Sequence, residues 1–156
     1  MSLADETLPR PVAGSDHPIP DAEALLAAVR LELVEAGDGK AARAAAVRHL
    51  QEAKIAANAA LEVRFLTTPR AARALISAQA ALTDVLVRVA LEAARLIHPL
   101  ANPTEAERIA VLAVGGYGRA EMAPQSDVDL LFLSPWKVTP WAESVIETML
   151  YILWDL

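Results

Sequence analysis

The chain has 156 residues, 54% hydrophobic and 22% charged, which is enough for one domain with a sizeable core and too apolar for a disordered one. A net charge of −6 argues against a general nucleic-acid-binding surface, which needs a basic patch. The absence of cysteine excludes a disulfide scaffold, a thiolate metal site and a thiol nucleophile, and is compatible with a cytoplasmic location.

Residues 1–20 carry Pro9, Pro11, Pro18 and Pro20 with Gly14 and Ser15, and have no positive region followed by an apolar core. They read as a flexible leader and not as a secretory signal. Residues 21–104 read as a helical region. A first helix is predicted from about Asp21 to Ala36, with Gly37 suited to end it. A second spans about Lys40 to Leu66 with Asp38 as its cap. A third opens with Thr68 as N-cap and Pro69 at the first helical position, and runs to about His98, where Pro99 stops it. Leu75, Leu82, Leu86, Val89, Ala93 and Leu96 recur along it at helical spacing and form its expected buried stripe. The most apolar stretch, Leu75 to Leu100, carries Asp84, Arg88, Glu92 and Arg95, each costly in lipid, so no membrane partner is expected. His17, His49 and His98 read as exposed or capping groups rather than as catalysts.

Residues 105–156 hold the chemistry. Thr104-Glu105-Ala106-Glu107 has the pattern of a capping box before the first strand. An apolar run from Ile109 to Val114 leads into Gly115-Gly116. Asp127-Val128-Asp129 follows, then a second apolar run from Leu130 to Leu133. Strand alternation would set Asp127 and Asp129 on one face while Val128 and Leu130 enter the core. Two carboxylates about 6 Å apart on a partly buried strand repel by about 3 kcal/mol at an effective dielectric near 20. A divalent cation offsets that repulsion, and Mg²⁺ takes one or two carboxylates with water and phosphate oxygens. Gly115 and Gly116 can adopt positive φ and let a phosphate approach the backbone, where successive N–H groups bind anions. A short helix starting near Tyr117 or Gly118 would add donors and a favourable dipole. Ser126 could donate its hydroxyl to the same phosphates, and Arg119 could either offset phosphate charge or pair with Glu121. Trp136, Trp141, Trp154 and Tyr151 read as packing for a last helix from about Pro140 onward.

This stretch resembles the nucleotidyltransferase superfamily that includes DNA polymerase beta. Within it, Gly115-Gly116-Tyr117-Gly118-Arg119, Glu121, Pro124 and Ser126-Asp127-x-Asp129-Leu130-Leu131 look most like the bifunctional uridylyltransferase/uridylyl-removing enzymes that modify the PII nitrogen regulatory protein. Arg70-Ala71-Ala72 and Leu82-Thr83-Asp84 look like the same family, less specifically. The nearest competitor is the glutamine synthetase adenylyltransferase, which shares a Gly-rich turn and Ser-Asp-x-Asp. The resemblance implies an α+β fold in which a helical region leads into the first strands of a nucleotidyltransferase domain, incomplete at its C-terminus. It implies Asp127 and Asp129 as catalytic metal ligands, Gly115, Gly116, Ser126 and Arg119 on the nucleotide phosphates, and Mg²⁺ as cofactor. UTP and PII would be the partners, in a cytoplasmic enzyme. No residue here reads the uracil base, so UTP over ATP rests on the resemblance alone.

The family pattern also needs a third carboxylate on a later strand. After Asp129 the acids are Glu143, Glu147 and Asp155, none in a predicted strand. The chain is therefore read as the N-terminal piece of a larger enzyme, inactive in isolation. Two other readings remain at this stage: a nucleotide-binding module without catalysis, and a helical interaction domain in which 109–133 is an ordinary hairpin.

Overall fold

Short polar residues start most of the helices. The computed structural model describes residues 19–36 and 38–156; the expected leader up to residue 18 and the expected helix end at Gly37 lie outside them. Helix α1 (Ala22–Glu35) begins where Asp21 Oδ1 accepts from the Glu23 N–H at 2.9 Å. Helix α2 (Gly39–Thr67) begins where Asp38 Oδ1 accepts from the Ala41 N–H at 2.8 Å, as the sequence predicts. Such caps satisfy donors that have no partner inside a helix, at about 1 kcal/mol each.

Thr68 is a correction. Its backbone N–H closes α2 on Arg64 O at 2.9 Å, and its side chain caps nothing. Pro69–Ala71 forms a single 3₁₀ turn, and α3 (Ala72–Ile97) starts after it without a side-chain cap. Residue 68 thus ends α2 and also stands at the N-cap position of the 3₁₀ turn, with Pro69 first in it as expected, but its side chain makes no capping bond and α3 starts only after that turn.

Helix α3 is the centre of the molecule and packs against α1, α2 and α5 (Pro140–Trp154). Leu82, Leu86, Val89 and Ala93 are buried as the periodicity predicts, and Ala78, Ala90 and Ala94 widen the stripe. Small residues there let neighbouring helices approach closely. Leu75 is only half-buried, and Leu96 lies at the edge of the stripe, 42% exposed. By length and composition alone α3 is long and apolar enough to cross a membrane, but its buried stripe belongs to the common core. Val145, Met149 and Ile152 of α5 complete that core with Leu26 and Val29 of α1 and Leu50 of α2.

The two strands β1 (Ala110–Ala113) and β2 (Leu130–Leu133) pair antiparallel, with Val111 opposite Phe132 and Leu112 opposite Leu131. Val111, Leu130 and Phe132 face the helical core, whereas Leu112, Leu131 and Leu133 face outward. The capping box before β1 forms: Glu107 accepts from both the Thr104 N–H and its hydroxyl. These two hydrogen bonds hold the Glu107 carboxyl below its usual range. The described residues are thus mostly helical with one small sheet, an α+β arrangement.

The aromatic expectation holds in part. Trp141 is half-buried and donates its indole N–H to His98 O at 2.8 Å, fastening α5 to the end of α3. His98 adds a 2.7 Å bond to Thr148 Oγ1. Trp136 and Trp154 are instead exposed, the latter meeting Tyr151 edge-on at 5.6 Å. His49 is no free surface group, because it pairs with Glu32 across α1 and α2 at 2.8 Å. His17 lies outside the described residues.

Candidate phosphate and metal site

The strand register brings the glycine turn and the aspartates together. Beyond the last paired residues, Ala113 and Leu130, the Val114 N–H donates to Asp129 O at 3.1 Å. That bond sets Gly115 beside the Asp129 side chain. Gly115 has φ +62°, and a Cβ built on it would lie 2.5 Å from Asp129 Oδ2. Only glycine takes this conformation without strain, and only glycine leaves room for the carboxylate. The chain then makes one helical turn, α4 (Gly115–Gly118), which starts earlier than the predicted Tyr117 or Gly118. Gly118 N–H closes it on Val114 O at 2.9 Å. A Cβ on Gly118 would lie 2.6 Å from Ala113 O, so this glycine lets the turn fold back onto β1. Gly116 does not take the positive φ expected of it; its carbonyl instead accepts from the Glu121 N–H at 2.9 Å, closing the loop.

Asp127 and Asp129 lie in the segment before β2 rather than on the strand, and both are exposed. Val128 is 43% exposed and does not enter the core, whereas Leu130 does pack inward as expected. The physical reason is that β1 turns away at Gly115, leaving no neighbouring strand to cover residues 127 and 128. Full solvation also lowers the expected repulsion, to about 0.7 kcal/mol for carboxylates about 6 Å apart in water. Repulsion alone therefore does not demand a cation. A stronger observation is that neither carboxylate has a hydrogen bond or a cation within ion-pair distance among the described residues. Both remain available as hard oxygen donors. No group of three or more His, Asp or Glu side chains placed to hold a metal occurs among the described residues, so no third acid joins the pair. Glu143 and Glu147 stand on α5 and point to solvent.

Of the two options for Arg119, the structure shows the ion pair. Its Nε donates to Glu121 Oε2 at 3.0 Å and its Nη1 to Gly115 O at 2.8 Å. Both partners of the ion pair are largely exposed, so the pair contributes little stability. Its geometric role is to brace the Gly115 carbonyl. Ser126 keeps its hydroxyl free in the exposed loop, its N–H donating to Ala123 O at 3.1 Å. Ala120 and Gln125 flank this loop with φ of 55° and 66°. Non-glycine residues pay about 1–2 kcal/mol each for that region, the kind of strain that collects at functional loops.

Tyr117 is the residue whose role sequence reasoning missed. It is the one buried side chain of α4, packed with Ala80 and Met122, and its hydroxyl donates to Asp84 Oδ1 of α3 at 2.7 Å. Burial pushes its phenol well above the ordinary value, and the hydrogen bond and charge of Asp84 push it further the same way. The available signal was a tyrosine between glycines together with an acid in an otherwise apolar helix.

A family profile described as Glutamate-ammonia ligase adenylyltransferase matches residues 5–152. The chain belongs to this family of nucleotidyl-transferring enzymes. It is also 68% identical over 139 residues to the bifunctional uridylyltransferase/uridylyl-removing enzyme of Cereibacter sphaeroides, a match covering 87% of this chain and 15% of that protein. The enzyme of the same name from Ruegeria pomeroyi is 55% identical over 137 residues, 87% of this chain and 15% of the relative. That of Erythrobacter litoralis is 46% identical over 155 residues, 99% of this chain and 16% of the relative. The chain thus spans about 15% of the length of these relatives. No solved structure matches it. The resemblance drawn from the glycine turn and the Asp-Val-Asp segment is borne out by the relatives' names, while the family profile carries the name of the nearest competitor.

Proposed function

We propose that this chain forms the phosphate- and metal-binding part of a nucleotidyltransferase fold that transfers UMP from UTP to the PII regulatory protein. The observation that carries the reading is the seating of the Asp129 carboxylate against Gly115, whose positive φ leaves backbone and carboxylate open on one exposed surface. Asp127 and Asp129, two oxygen donors without protein partners among the described residues, fit Mg²⁺, which takes one or two carboxylates and completes its shell with water and phosphate oxygens. Bound there, Mg²⁺ would neutralise charge on the triphosphate and lower the pKa of the attacking hydroxyl.

The protein groups do the rest. Gly115 and Gly116 admit the phosphates to the backbone, and Ser126 donates its hydroxyl to them. Arg119 acts on the Gly115 carbonyl from its ion pair with Glu121, a bracing role in place of direct phosphate contact. In the reaction a tyrosine hydroxyl of PII attacks the α-phosphorus, the α–β bridging bond breaks, and pyrophosphate leaves. The relatives' names support uridylylation; a cytoplasmic location is part of the same proposal. The family profile's name favours a second reading, adenylyl transfer from ATP to glutamine synthetase. The test is incubation of a polypeptide spanning the relatives' full length with PII and radiolabelled UTP or ATP. Label passing to PII from UTP and lost in Asp127→Ala supports the first reading. Label passing only from ATP, to glutamine synthetase, supports the second.

A further inference from the structure

We infer that Asp84 is a positioning residue for the nucleotide site, acting on the glycine turn through the Tyr117 hydroxyl; this rests on the phosphate-binding reading above. Three observations converge. First, Tyr117 is 5% exposed and is the one side chain of α4 that the protein encloses, so it fixes where that turn sits on α3. Second, the turn is otherwise held by bonds within its own loop: Gly118 N–H to Val114 O, Ala120 N–H to Tyr117 O, Glu121 N–H to Gly116 O, and the Arg119 side chain to Gly115 O. None of these reaches the helical core, so the 2.7 Å bond to Asp84 is the polar link from the turn to α3. Third, Gly115 stands in the same turn, two residues before Tyr117, with the Asp129 carboxylate against it. A rotation of the turn about its own axis would shift Gly115 against the Asp129 carboxylate.

Asp84 itself lies exposed on α3, so its carboxylate is solvated whether or not it holds the phenol. A core-stabilising role for this acid is therefore minor, and its specific effect is directional. It selects one rotation of the Tyr117 ring, and with it one placement of the backbone that faces phosphate. A carboxamide at this position would keep an oxygen acceptor for the same hydroxyl. The helical region would thereby set the site's geometry as well as carry it.

The experiment measures Mg·UTP affinity of the 156-residue chain by equilibrium dialysis, beside amide hydrogen exchange at Gly118 and Glu121, whose N–H groups hold the turn, in wild type, Tyr117→Phe, Asp84→Ala and Asp84→Asn. Tyr117→Phe and Asp84→Ala should each weaken binding about tenfold, the scale of one charge-assisted hydrogen bond. Exchange at these two amides should quicken in both, and Asp84→Asn should restore affinity to within about threefold of wild type. Wild-type binding with unchanged affinity and exchange in Tyr117→Phe overturns the inference alone. No Mg·UTP binding by the wild-type chain overturns the phosphate-site reading, and this inference with it. Loss of affinity in Asp84→Asn equal to that in Asp84→Ala shows that charge rather than hydrogen-bond direction matters, and overturns the positioning role.

Discussion

Replacing Gly115 by alanine perturbs backbone and site at once. At φ +62° an L-residue costs about 1–2 kcal/mol relative to glycine. The added Cβ would meet Asp129 Oδ2 at 2.5 Å, so the carboxylate must rotate away. Because Asp129 is exposed, that rotation is cheap for folding and damaging for any ligand the carboxylate holds. The expected destabilisation is therefore about 2 kcal/mol, lowering the melting temperature by about 4–8 °C for a domain of this size. Mg·UTP affinity should fall by more than about tenfold, the scale of one lost charged contact. Gly116→Ala is the internal control: its φ lies outside the positive region and its Cβ would come 3.3 Å from Glu121 O, so the strain should be smaller. Thermal unfolding by circular dichroism and calorimetric titration with Mg·UTP measure both effects. If Gly115→Ala melts within 1 °C of wild type and binds Mg·UTP unchanged, the coupling between this backbone position and Asp129 is wrong.

Other outcomes follow from the same geometry. Asp129→Asn, in a polypeptide spanning the relatives' length, should abolish UMP transfer while leaving the far-ultraviolet spectrum intact; activity within tenfold of wild type with unchanged Mg²⁺ dependence would remove Asp129 from the metal site. Leu82→Ala removes a fully buried side chain at the centre of α3 and should cost about 2–5 kcal/mol in urea unfolding, whereas Trp136→Ala, at an exposed position, should change stability by less than about 0.5 kcal/mol. Tyr117 has a raised pKa in the folded chain, so the unfolded chain loses that proton first. Stability should hold below the ordinary phenol value near 10.0 and fall as pH rises above it, and the limb should flatten in Tyr117→Phe. The 156-residue chain alone should transfer no UMP to PII, because it offers two carboxylates and no third joins them among the described residues.

What could be read from the sequence was local. Asp38, the Thr104 capping box and the start of α5 at Pro140 follow from groups a few residues apart, and each stands where expected. Helical spacing located most of the α3 stripe for the same reason. The glycine pair stands at the end of β1 as the apolar run before it predicts, whereas Asp-Val-Asp, expected on the strand, lies just before β2. What failed depended on distant partners. Val128 was placed in the core by alternation, but alternation presumes a neighbouring strand, and β1 leaves at Gly115. Trp136 and Trp154 were given packing roles from their size alone, yet no described element covers them. Thr68 stands at the predicted N-cap position, but its side chain bonds no backbone N–H of the turn that follows. The Tyr117–Asp84 bond joins residues 33 positions apart, and no spacing rule connects them.

The most direct test of the site is equilibrium binding of labelled UTP to the 156-residue chain, with and without Mg²⁺, in wild type and Asp127→Ala. Asp127 is exposed and without a protein partner among the described residues, so the substitution leaves the fold unchanged and removes only a candidate ligand. Binding that requires Mg²⁺ and disappears in Asp127→Ala is the predicted result. Binding that is indifferent to Mg²⁺ and unchanged in Asp127→Ala, or no binding by wild type under either condition, would contradict a metal–nucleotide site between the glycine turn and the paired aspartates.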